Sequence, residues 1–186
     1  MKSLLFLIAS TLLSTQAFGA FGEVTHSSLV PPMNQIKKVE VFLYDLVKEG
    51  YGRECDDTQC YRLDVEINDV LVATWIASPG KPHPGTDFKG NYTPQYLSGV
   101  PFSKQKRRGA NYVSSRGDHM PWAAFWTRND GGHPVIATHA GVVTGRRESH
   151  GCVRLHYDRA ESVYKWVGAA MKNGGTTRAY TKHTRP

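Results

Sequence analysis

The chain has 186 residues, 23 Lys and Arg against 16 Asp and Glu, and 40% hydrophobic residues. That length supports one domain with a real core and leaves little for a second. The formal net charge of +7 favours anionic partners such as wall glycopeptide or surface phosphate; with no helix-turn-helix or zinc-finger spacing, nucleic acid is not an expected partner.

Residues 1–20 read as a secretory signal. Lys2 gives a positive start, Leu4 to Leu13 an apolar stretch, and Ala17-Phe18-Gly19-Ala20 a small-residue exit, with cleavage after Ala17, Gly19 or Ala20. The apolar stretch falls short of the roughly 20 residues that cross a bilayer, and no later segment approaches that length. The mature chain is therefore expected to be exported, to the periplasm or cell envelope, without a membrane span. Loss of Lys2 leaves 22 basic against 16 acidic side chains, about +6.

Residues 21–37 read as an N-terminal leader in which Pro31-Pro32 opposes helix, followed by one domain over 38–182. Val39 to Val47 is rich in β-branched and aromatic residues and predicts a strand. Cys55 and Cys60 bracket a polar loop and are expected to bridge in an oxidising compartment. A zinc site there is disfavoured, because no second Cys or His pair stands at finger spacing. Tyr61 to Ile67 alternates with Leu63, Val65 and Ile67 on one face; Asn68-Asp69 turns the chain into a second strand, Val70 to Ala77.

Ser78 to Gly109, dense in Gly, Pro and Lys, predicts irregular chain, and its basic run Lys104 to Arg108 reads as a solvated loop or a wall-facing patch. Arg116-Gly117-Asp118 resembles an adhesion tripeptide but is too short to carry weight. Pro121 to Trp126 and Pro134 to His139 are further strand candidates. One helix stands out: Asp158 as cap, Glu161 three residues on, then Val163, Trp166, Val167, Ala170 and Met171 at helical spacing, closed by Asn173-Gly174-Gly175. Thr176 to Thr181 returns as a last strand. The pattern predicts a mainly β domain with one helix packed on it.

Once Cys55 and Cys60 pair, Cys152 is left over, in Ser149-His150-Gly151-Cys152-Val153-Arg154-Leu155. A thiol attacks only as thiolate, and nearby positive charge or backbone N–H groups favour that form. Gly151 allows a tight turn that aims N–H groups at the sulfur, and those around Gly151 and Cys152 can also stabilise an oxyanion. His139, at the end of Val135 to Gly141, is the leading base. His150 orients the loop or adds a positive edge. Arg154 offers a forked donor suited to a substrate carboxylate. Two plainer readings stay open. Cys152 can be a structural cysteine; or His139, His150, Cys152 and His156 can gather a metal, although H-x-C-x3-H fits no common zinc pattern. Neither metal nor cofactor is expected.

Ser149 to Leu155 resembles the S-H-G-C-[IV]-R-[ML] signature of L,D-transpeptidases, the YkuD-type catalytic domain. The likeness extends outward. Thr144-Gly145-Arg146-Arg147-Glu148 is similar to the segment before that signature, and Thr138-His139-Ala140-Gly141 to the family's I-H-G strand end. Met120 to Phe125 is similar to its M-P-[YW]-x-x-x-F strand, and Val70 to Lys81 to its strand leading into S-T-G-K. Gly85-Thr86-Asp87-Phe88 stands where the T-P-x-G-x-F element follows. Ala140 replaces the glycine after the base. Nine residues separate His139 from Ser149, whereas His133 is fifteen away, the longer spacing of some members.

The resemblance implies a β-sandwich-like domain acting on peptidoglycan stem peptides. By position Cys152 is the nucleophile and His139 the base, while Ser149, His150 and Gly151 shape the site and Arg154 binds substrate. In the family the cysteine displaces a terminal D-alanine to form a thioester. An amine then makes a crosslink, or water gives L,D-carboxypeptidase or endopeptidase action. A wall-binding domain without catalysis is the competing reading from another class, and a metal-dependent hydrolase a distant one.

Overall fold

The computed structural model describes residues 23–45, 60–80, 100–126 and 136–182. The residues assigned to the signal, Cys55 and its loop, Gly85 to Phe88 and His133 all lie outside these segments.

Among the described residues nine strands are hydrogen-bonded in one run, with spatial order β1-β4-β3-β2-β9-β5-β6-β7-β8. They are β1 (Val24–Thr25), β2 (Lys38–Asp45), β3 (Tyr61–Ile67), β4 (Val70–Ile76), β5 (Val100–Arg107), β6 (Ala124–Trp126), β7 (Ile136–Ala140), β8 (Val153–Leu155) and β9 (Thr176–Lys182). The run divides into two sheets that meet at β5, which pairs with β9 through Val100 and Pro101 and with β6 through Phe102 and Arg107. Among the described residues there is a single α-helix, α1 (Tyr157–Lys172). The expected mainly β fold with one helix is what forms.

The β3–β4 hairpin follows directly from its turn. Asn68 and Asp69 have φ of 51° and 67°, as a two-residue type I′ connection requires. The Asn68 side chain then accepts from the Lys37 and Lys38 N–H groups and donates to the Gln35 carbonyl, tying the hairpin tip to the start of β2. Parallel pairing sets β2 beside β9, the last described strand in the chain, at the middle of the run, Lys38 opposite Thr176 through Tyr44 opposite Lys182.

Helix α1 buries Ala160, Val163, Trp166, Val167 and Ala170, one stripe at i, i+3 and i+4 spacing, against β7, β9 and β2. Trp166 stacks on Trp75 of β4, ring centroids 5.9 Å apart. Such a buried indole contributes about 3–5 kcal/mol relative to Ala. The helix begins differently from the sequence expectation. His156 occupies the N-cap without a side-chain hydrogen bond, and Asp158 lies inside the first turn, where its charge complements the helix dipole. At the other end Gly174 takes φ +71°, closing the helix as expected.

Two further expectations change, and one strand forms that the sequence did not indicate. Residues 100–107 are a strand, so the basic run to Arg107 is not a loop; its pairings come from distant β6 and β9, and nothing in its own alternation signals them. The strand expected over Pro121 to Trp126 begins only at Ala124, because Trp122 sits at φ +57° in a turn. Finally, Val153–Leu155 forms β8, three residues too short for a periodic signal.

Candidate active site

Strands β7 and β8 run parallel, with Thr138 opposite Val153, His139 opposite Arg154 and Ala140 opposite Leu155. Opposed residues in a parallel pair point to the same face, so alternation divides β7 cleanly. Ile136 and Ala140 enter the main core with Val153 and Leu155 under α1. Ala137 faces the other way, in a small cluster with Met120 and Ala123 against which Tyr112, Phe125 and the half-buried Cys152 pack. His139 and Arg154 share that second face.

The sulfur is held by backbone. The Ala137 N–H donates to Cys152 Sγ at 3.4 Å, and His139 follows two residues along β7, a rise of about 6–7 Å. His139 is buried, 6% exposed, and its Nδ1 lies 2.7 Å from the Ala140 carbonyl oxygen. A carbonyl oxygen only accepts, so Nδ1 carries the proton and Nε2 keeps its lone pair.

The turn that presents the cysteine is built by Ser149 and Gly151. Ser149 is 2% exposed; its Oγ donates to the Cys152 carbonyl and accepts from the Gly151 N–H at 3.0 Å. Gly151 adopts φ +127°, a conformation that a side chain strains. The Gly151 N–H, expected beside an oxyanion, is directed to Ser149 in this structure. The N–H groups of His150 and Cys152 have no protein acceptor among the described residues, leaving those two free to receive one.

A strap from the end of β4 clamps this loop. Ser78 and Arg154 exchange backbone hydrogen bonds at 3.1 and 2.9 Å, and the Pro79 carbonyl accepts from the Glu148 and Ser149 N–H groups. The fully buried Ser78 Oγ accepts from the N–H groups of Thr144 at 2.8 Å and Gly145 at 3.0 Å. Ser78 was not among the predicted site residues. Its signal was the likeness of the Ser78-Pro79-Gly80 stretch to a family segment, which carries no hint of a loop partner some seventy residues away. Ala137 was missed for a plainer reason: its contribution is its backbone.

Electrostatics differ from the expectation of a depressed thiol. Burial pushes the Cys152 thiol up, while the Ala137 N–H and Arg154 pull it down and Asp118 adds to the rise. Burial likewise lowers His139, opposed by its bond to Ala140; Arg154 lowers it and Asp118 raises it. Both shifts favour the neutral forms, thiol and imidazole, because desolvation outweighs the favourable charges.

Of the predicted residues, the structure brings together Cys152, His139, Ser149, Gly151 and Arg154. His150 is exposed on the turn, and His156 is drawn away into the helix cap. Among the described residues no group of three or more His, Cys, Asp or Glu is arranged to hold a metal ion. The Arg154 side-chain stem lies against Gly141, where an added Cβ would meet its Cδ at 3.1 Å. Cys152 is the free thiol; Cys60, at the entrance to β3, is buried, and its expected partner Cys55 lies outside the described residues.

A family model for the L,D-transpeptidase catalytic domain, YkuD, matches residues 54–177. No curated protein matches the chain. Among solved structures, an L,D-transpeptidase (residues 123-326) from Xylanimonas cellulosilytica DSM 15894 is 16% identical, with a TM-score of 0.44. The match covers 80% of this chain and 62% of that one, so the chain spans less than two thirds of that relative.

Proposed function

Since the chain belongs to the YkuD family of L,D-transpeptidase catalytic domains, we propose that it is an exported enzyme that crosslinks peptidoglycan stem peptides through a Cys152 thioester. His139 Nε2 takes the thiol proton as sulfur attacks the carbonyl that precedes the terminal D-alanine. The N–H groups of His150 and Cys152 receive the oxyanion, and Arg154 holds a stem carboxylate. D-Alanine leaves, and an amine of a second stem resolves the thioester.

One observation carries the reading: Ala137 donates to the thiol on the same face of β7 that bears a base with a free Nε2. The charge arrangement supports it as well. Two neutral groups cost little to bury, and the Ala137 N–H and Arg154 favour the thiolate once it starts to form. Export rests on the N-terminal twenty residues, and no helix among the described residues is long and apolar enough to cross a membrane.

Mass spectrometry of the mature protein with disaccharide-tetrapeptide tests this, with Cys152→Ala as control. Dimer lacking one D-alanine is the expected product. Tripeptide alone replaces transpeptidation by L,D-carboxypeptidase action. No product from tetrapeptide or from intact crosslinked wall overturns the acyl-transfer reading in favour of a wall-binding domain.

A further inference from the structure

The segment Gly109–Trp122 folds back on itself beside the thiol. Trp122 N–H donates to the Gly109 carbonyl, Met120 N–H to that of Tyr112, and Val113 pairs with His119. The base of this finger is anchored, because Met120 and Tyr112 belong to the cluster against which Cys152 packs. At its tip the Ser114 N–H donates to the Asp118 carbonyl. The Ser114 Oγ accepts from the Asp118 N–H at 3.0 Å and donates to Asp118 Oδ2 at 3.3 Å. Asp118 is exposed, and among the described residues its Oδ1 has no partner and its carboxylate no cation.

That carboxylate is out of keeping with its surroundings. The chain is basic, and Arg154 stands on the same face as the thiol. Asp118 lies within electrostatic reach of both His139 and Cys152, disfavouring the thiolate at the sulfur while favouring positive charge on the imidazole. An exposed carboxylate with an unpartnered oxygen, carried on a finger anchored in the Cys152 cluster, attracts positive charge arriving from solvent beside the thiol.

We propose that Asp118, presented by the Ser114–Asp118 turn two residues from Met120, is the subsite that receives the ammonium group of the acceptor. Arg154 and Asp118 then divide the labour by charge, Arg154 toward carboxylates and Asp118 toward amines. This deepens the transpeptidase reading and rests on it. The ammonium loses one proton to solvent to become the free amine. Its nitrogen attacks the thioester carbonyl, the C–N bond forms and a second proton passes to His139. The C–S bond breaks, and the Cys152 sulfur takes that proton back as thiol.

The test separates this proposal from the enzymatic reading by using thiol labelling. Cys152 in the intact mature protein is labelled with an ammonium-bearing and, separately, a sulfonate-bearing methanethiosulfonate. Asp118→Asn should lower the ratio of cationic to anionic labelling about fivefold, as expected for one charge removed at close range, and Asp118→Glu should restore most of it. A merely structural role slows both reagents alike, and an unchanged ratio overturns the proposal. In the tetrapeptide reaction the dimer-to-tripeptide ratio should fall with Asp118→Asn, and an unchanged ratio there overturns the acceptor role. A shifted labelling ratio in a protein that makes neither product keeps the ammonium site and overturns the transpeptidase reading.

Discussion

Cys152 Sγ accepts a hydrogen bond at 3.4 Å from the backbone N–H of Ala137, a residue fifteen positions earlier in the chain. The contact fixes the sulfur against β7 at the level from which His139, two residues on, shares its face. Cys152→Ala should abolish turnover while leaving the melting temperature within a few degrees of wild type. His139→Ala should lose activity by at least 100-fold, roughly the contribution of a general base, while His133→Ala retains it. Initial rates of D-alanine release measure all three; the reverse order for the two histidines would transfer the base to His133.

The depressed His139 and raised Cys152 set a pH signature. The base stays neutral to lower pH than a free histidine, so the acidic limb of kcat/KM should fall below the ordinary value of about 6.5. With its pKa raised, the half-buried thiol should react slowly with iodoacetamide at pH 7 without substrate. Folding stability follows the same shifts. The unfolded chain binds the His139 proton more readily, so stability falls as pH drops below about 6.5, and His139→Gln should flatten that slope. Urea titrations between pH 4 and 8 measure it.

Ser149 holds both sides of the catalytic turn, the Gly151 N–H and the Cys152 carbonyl. Ser149→Ala leaves these buried groups without a partner, costing about 1–3 kcal/mol. Activity should drop together with stability, and Ser149→Thr should keep most of both. A Ser149→Ala variant of wild-type stability and rate would remove the turn-holding role.

Gly141 gives the Arg154 stem its room. A Cβ there would stand 3.1 Å from Cδ and 3.2 Å from Cγ, so the Arg154 stem must give by a few tenths of an ångström and carry its guanidinium with it. Gly141→Ala should raise KM for the stem peptide several-fold with a smaller change in kcat, the pattern of a lost binding contact. Equal effects on both parameters would argue against Arg154 as the carboxylate anchor.

Gly175 is a test of the fold rather than of the site. Its Cβ would fall 1.8 Å from the Lys37 carbonyl oxygen, backbone against backbone, where the helix exit meets the start of β2. Gly175→Ala should destabilise by about 3 kcal/mol or more. At Gly174 a Cβ meets nothing within 4 Å, so Gly174→Ala should cost only the strain of φ +71°, about 1 kcal/mol. Paired denaturant melts compare them.

Local chemistry alone made several features legible. Asn68-Asp69 announced the hairpin turn, the apolar stripe from Val163 to Ala170 announced α1, and Gly174 its end, because each depends on neighbours within a few residues. Ser149 to Arg154 announced a cysteine-centred site for the same reason. Strand β5 and the three-residue β8 were not legible. Their pairings lie with β6, β9 and β7, and no alternation within so few residues reports a distant partner.

The sequence by itself therefore determined which side chains were available: a lone thiol, a histidine at a strand end, a glycine before the cysteine. Only the tertiary structure decided how they act. Parallel pairing of β7 with β8 put His139 and Cys152 on one face, and Ser149 took the N–H that Gly151 had been expected to offer. Burial then favours the neutral form of both groups, since desolvation at the sulfur depends on atoms gathered from Met120, Ala123 and Ala137, none of them near Cys152 in the chain.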